Sequence, residues 1–159
     1  MADSTHANAK AKLDRLAWLV GEWEGTQFVS ASLWFPASQS PVTVTTDWVL
    51  GGYHLEMRLA YSFEGEERSA LGLWSYDLAA GDYALHWIDN VSPVSVTYHG
   101  RFKPDGALHL AASRLLGQRT VTERVRLEFL AEGWTLISSN DVSGEFLERG
   151  RFAVQEVTW

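Results

Sequence analysis

A chain of 159 residues, 46% hydrophobic and 21% charged, is long enough for one domain with its own core and too apolar to stay disordered. A net charge of −7 with only 13 Lys and Arg, scattered along the chain, excludes a nucleic-acid partner, because neutralising phosphates needs clustered cations. Having no cysteine excludes disulfides and thiolate metal sites, and the eight Trp ask for an explanation: a core filled with large rings, or a lined pocket.

Residues 1–11 are small and polar and read as a flexible tail ahead of a single domain over residues 12–159. This segment lacks the apolar centre of a secretory signal, and no apolar run reaches the roughly 20 residues of a membrane helix. The expectation is a soluble, cytoplasmic protein. From Lys12 to Val20, Leu13, Leu16, Ala17 and Val20 recur at helical spacing, and Gly21 ends the helix they predict.

Helical periodicity then disappears. "GTQFVSASLWF" and "VTVTTDWVL" read as strands flanking a loop at 36–41. "LGGY" turns the chain into the clearest alternation in the sequence. Tyr53, Leu55, Met57, Leu59, Tyr61 and Phe63 share one face of that strand, and His54, Glu56, Arg58, Ala60 and Ser62 the other. After "EGEE" come "SALGLWSY", the turn "DLAAGD", "YALHWID", the turn "NVSP", and "VSVTYHGRF" running to "KPDG". "ALHLAAS", "TVTERVRLEFL", "WTLISS" and "EFLERGRFAVQEV" complete the series. About ten strands with short turns and one leading helix predict an all-β protein, a single antiparallel up-and-down barrel. Closure removes the edges that so long a meander would expose.

Strand parity supplies candidate site residues. In "YALHWID", Tyr83, Leu85, Trp87 and Asp89 share a face, with His86 on the other. An inward Asp89 either caps the turn at "NVSP" or orients a polar ligand group, and it could serve as a general base. Glu123 stands among Val121, Val125, Leu127 and Phe129. It is either one half of a structural ion pair or a group that recognises ligand, with Arg114, Arg119, His109 or a tyrosine as candidate partners. Asp89, Glu123 and His86 are the titratable groups to consider for catalysis. Trp48, Tyr53, Met57 and Tyr61, with Trp74 and Trp87 on the following strands, are the expected pocket wall. There is no phosphate loop, nucleophile elbow or metal-ligand motif.

"WLVGEWEGT" resembles the opening of the calycin superfamily, in which Gly-x-Trp begins the first strand and the Trp packs across the closed end of the barrel. In lipocalins a basic residue of the last strand stacks on that Trp. The resemblance therefore implies Gly21 and Trp23 at the barrel end, with Arg149 or Arg151 as partner, Arg151 being carried forward. A fuller likeness is to the uncharacterised bacterial DUF1579 family. Leu16, Leu19, Val20, Gly21, Trp23 and Gly25 match "LxxLVGxWxG", and Gly51 and Gly52 precede the long strand. Tyr76, Asp77, Trp87, Asp89 and Asn90 follow in order. This likeness implies a lipocalin-like fold and leaves the function open.

The nitrobindin-like haem barrels open similarly but ligate haem through a His on a late strand. The last histidine here is His109, so haem would need His86 or His99, and no cofactor is expected. The leading functional expectation is a barrel that holds a small, largely apolar or amphipathic molecule. The alternatives are an enzyme, a hydrolase or isomerase, with acid–base groups at the mouth, or a solid barrel that dimerises through an exposed surface.

Overall fold

The computed structural model describes residues 2–32, 36–116, 118–142 and 145–158. Ten antiparallel strands run in chain order around a closed barrel: β1 (Gly21–Val29), β2 (Ser38–Val49), β3 (His54–Phe63), β4 (Glu66–Asp77), β5 (Asp82–Asp89), β6 (Val96–Phe102), β7 (Leu108–Leu116), β8 (Arg119–Phe129), β9 (Gly133–Val142) and β10 (Glu145–Glu156). Each pairs with the next, and β10 returns to β1. The all-β antiparallel up-and-down barrel expected from the turn spacing is therefore the fold. The expected boundaries shift at several strands, and β4 begins at Glu66, inside the expected "EGEE" turn. β1 starts at Gly21 rather than Gly25 and ends at Val29, and β2 begins at Ser38, inside the expected loop.

The N-terminus differs more. Helix α1 spans Ala2–Leu13 and continues as a 3-10 helix over Asp14–Leu19, so most of the expected tail is helical. Hydrophobic spacing could not find α1, because it carries alanine and polar residues all round. Its alanines favour helix by propensity alone. No helix among the described residues is long and apolar enough to cross a membrane.

The joint between helix and barrel explains the "LVGEWEG" run. Leu13, Leu16 and Leu19 are fully buried and plug one end of the barrel. Gly21 then takes a φ of 137°, a turn into β1 that a side chain would resist. The Trp23 indole donates to the Leu19 carbonyl at 2.8 Å, satisfying an acceptor at the end of the 3-10 helix, and its ring meets Trp134 edge-on at 6.2 Å. Gly25 lies where β10 crosses so closely that a Cβ would stand 1.9 Å from the Ala153 carbonyl oxygen. The plug is tied down elsewhere by the Tyr83 hydroxyl, which donates to the Lys12 carbonyl at 2.5 Å, and by the Arg15 guanidinium 3.8 Å above the Phe102 ring.

The interior consequently has two unlike halves. Around the plug it is solid, with Trp23, Trp74, Trp134, Leu55, Met57 and Leu127 buried together. At the opposite end, where odd-numbered strands finish and even-numbered strands begin, the side chains leave a cavity. Trp residues thus serve mainly as core. Trp87 alone among the described ones lines that cavity, and Trp34 and Trp159 lie outside the described residues.

Candidate functional site

The mouth cavity measures about 850 Å³. Alternation sends Tyr61 and Phe63 of β3, Leu85 and Trp87 of β5, and Phe152 of β10 into it. The Tyr61 and Phe152 rings meet edge-on at 5.4 Å, and Trp87 leans on Phe152 at 6.1 Å. This aromatic cluster is one wall.

Asp89 ends that wall. Its Oδ2 accepts the Trp87 indole N–H at 3.0 Å, and its Oδ1 accepts the backbone N–H groups of Val91 and Ser92 at 3.0 and 3.1 Å. The turn-capping role expected of Asp89 is therefore present, together with an indole bond that orients Trp87. Asn90 fastens the same corner, its amide oxygen accepting from the Ser69 N–H at 3.0 Å. The "WIDN" stretch is thus a hydrogen-bonded rim. Burial, with the Asp89 charge second, pushes the Tyr61 phenol up to about 12, partly offset by Arg68.

A polar group faces the aromatics. Glu123 of β8 is only 7% exposed and accepts from the Tyr98 hydroxyl of β6 at 3.0 Å. Arg149 Nη1 lies 3.9 Å from Glu123 Oε1. In the amide orientation that satisfies both of its ends, Asn140 accepts from Arg149 Nη1 at 3.0 Å and donates to the Ser139 carbonyl at 3.2 Å. Gln27 of β1, nearly buried, accepts from the Ser40 hydroxyl at 3.1 Å. Tyr98, Arg149, Asn140 and Gln27 line the cavity, and none was singled out in the sequence as pocket wall. Parity with Val96 would have turned Tyr98 inward, whereas Arg149 escapes alternation altogether.

Several expected positions fall elsewhere. Met57 and Trp74 are inward but fully buried in the solid half, and Trp48 packs at the plugged end. Tyr53 precedes β3 and lies 46% exposed outside that end, edge-on to His6 at 5.8 Å. The pocket wall expected at these four positions is corrected on one ground: inward parity was legible, but which end the plug fills was not. Tyr61, Trp87 and Asp89 line the cavity, and Glu123 stands behind Tyr98.

Arg151 is a second correction. Register sets Trp23 opposite Glu156 and Arg151 opposite Phe28, about 17 Å along the strand at roughly 3.4 Å per residue. Arg151 stands at the mouth of the barrel, away from Trp23, and is held by Glu148 through two bonds of 2.5 and 2.7 Å. Of the candidate partners for Glu123, the tyrosine is realised in Tyr98. The Arg114 side chain lies outside the described residues, and His109 bonds Asp105 at 2.8 Å on the outer face.

The three catalytic candidates do not converge. His86 projects from the outside of β5, where it joins His54 and His99 around a shallow depression of about 450 Å³. Its Nδ1 contacts the Thr97 hydroxyl at 2.9 Å. Burial, then the nearby His99 and His54, hold its pKa below the ordinary value. No group of three or more His, Cys, Asp or Glu among the described residues is arranged to hold a metal ion. His86 and His99, the ligands a haem would have needed, face away from the mouth cavity.

The model of a family described as a protein of unknown function, DUF1579, matches residues 8–133. No curated protein matches the chain. The matched segment runs from α1 into the start of β9 and contains the plug, the Gly21–Trp23–Gly25 joint and the Trp87–Asp89–Asn90 rim. The chain belongs to the DUF1579 family.

Proposed function

We propose that the barrel binds a small, largely apolar molecule in its open half. The observation that carries this reading is the contrast between the two halves of one interior. Trp23, Trp74, Trp134 and the leucines of the plug are buried together in one half, while the other half keeps about 850 Å³ bounded by Tyr61, Trp87 and Phe152. That volume lies in the range of small-molecule sites, and apolar walls with a few convergent polar groups are their usual make-up. The rigid rim at Asp89 and Asn90 supports it further, because a pre-formed wall loses little freedom on binding.

The test is native mass spectrometry of the freshly purified protein beside its denatured mass. A bound molecule appears as excess mass lost on denaturation, and Trp87→Ala, which removes a wall, lowers its occupancy. The reading falls if the native mass is that of the bare chain and titration with apolar fluorescent probes produces no saturable signal. The same spectrum reports whether the protein is a monomer or a homodimer.

A further inference from the structure

The last strand breaks register at one residue. β10 pairs with β9 as Glu148↔Ser139 and then Gly150↔Ser138, which leaves Arg149 as an extra residue with nothing opposite. Counting back by twos from the inward Val154 and Phe152 would send Arg149 out to solvent. A bulge re-aims the side chain it carries, and this one brings the guanidinium to the mouth cavity. On the other edge of the strand, the Arg149 carbonyl accepts from the Ser30 N–H at 2.8 Å, which fixes the bulged backbone.

The surroundings of that cation are uneven. Its two neighbours, Glu123 at 3.9 Å and the Asn140 amide oxygen at 3.0 Å, both engage Nη1. A guanidinium has five N–H donors, so among the described residues Nε and Nη2 remain for another acceptor, and the side chain is 56% exposed. The other carboxylates of the mouth are committed. Asp89 holds the Trp87 indole and two backbone N–H groups, and Glu148 holds Arg151. The geometry points to a ligand with a single anionic group, of the carboxylate or sulfonate class, on an aromatic or alicyclic body. The anion seats on Arg149, and the body lies against Tyr61, Trp87 and Phe152. This inference rests on the proposal that the open half binds small apolar molecules, and it adds the chemistry of the polar end.

Two fluorescent probes that share an aromatic body separate the two ideas: anilinonaphthalene sulfonate, an anion, and N-phenylnaphthylamine, its uncharged counterpart. Both are titrated into the wild-type protein, Arg149→Gln and Arg126→Gln. The last removes an equal charge from the outer face of β8. The wild type binds the sulfonate more tightly than the amine. Arg149→Gln weakens the sulfonate by about ten- to a hundredfold, the range for a hydrogen bond to a charged group, and leaves the amine unchanged. Arg126→Gln changes neither. The anionic assignment is overturned if Arg149→Gln leaves sulfonate affinity intact, or if both Arg variants lower it equally. In either case, retained amine binding keeps the wider reading alive. If neither probe binds the folded wild-type protein, both fall together.

Discussion

Tyr98 and Glu123 meet inside the barrel from β6 and β8, the phenol hydroxyl donating to Oε2 at 3.0 Å with the carboxylate almost wholly buried. Removing the donor takes one hydrogen bond from a buried carboxylate. Tyr98→Phe should therefore cost about 1–3 kcal/mol in urea unfolding. Glu123→Gln should cost less in the Tyr98→Phe background than in the wild type, with a coupling of about 0.5 kcal/mol or more. Strictly additive losses would mean that the two side chains are not energetically joined.

Gly25 offers a sharper case. The Ala153 carbonyl oxygen would sit 1.9 Å from a Cβ there, and that oxygen belongs to backbone that cannot swing aside. Gly25→Ala must push β10 off β1, at a cost of about 3 kcal/mol or more. Thermal melting would check it, and a variant that melts with the wild type would refute the close approach.

His86 on the outer face sets an acid dependence. His86 has a folded-state pKa below its ordinary 6.5, so the unfolded chain takes up a proton first as the pH falls. Stability is then lost progressively from about 6.5 downward, until the folded form protonates as well. His86→Gln should flatten this stretch of the stability–pH curve. An unchanged acid limb would place its cause elsewhere.

Tyr61 acts at the other end of the scale. With its phenol raised to about 12, the folded protein keeps a proton that the unfolded chain releases near 10. Stability should fall between these values, and less steeply in Tyr61→Phe. Burial also raises the Tyr83 phenol, so ultraviolet difference titration of the folded protein should show at least two of the five tyrosines ionising above the ordinary range, and one of these should be lost in Tyr61→Phe.

Legibility followed the physics of each signal. Alternation at residues 53–63 and the turn chemistry at "KPDG" and "NVSP" are local, and they were enough for a ten-strand meander and for the inward parity of Tyr61, Trp87 and Asp89. The family motif located the Gly21–Trp23 joint. Which end the helix plugs is a long-range fact, so Trp48, Tyr53, Met57 and Trp74 fell on the wrong half. Arg149 was hidden because a bulge cancels the period-two rule from which its direction would be read. Helix α1 was missed because it lacks the apolar stripe that periodicity detects.

The seam between β1 and β10 joins the two most distant strands of the chain, with Trp23 opposite Glu156. Nine ladders can zip up between strands that are neighbours in the chain, but this tenth must wait until β1 and β10 meet across the loop-closure entropy of nearly the whole sequence. Until then β1 and β10 each present a bare edge able to recruit another molecule's strand. During synthesis β10 emerges after the other nine strands, so every nascent copy passes through an open-sheet stage. A slow chain or a crowded cell lengthens that interval, and intermolecular pairing along β1 is the misfolding route this topology makes most accessible.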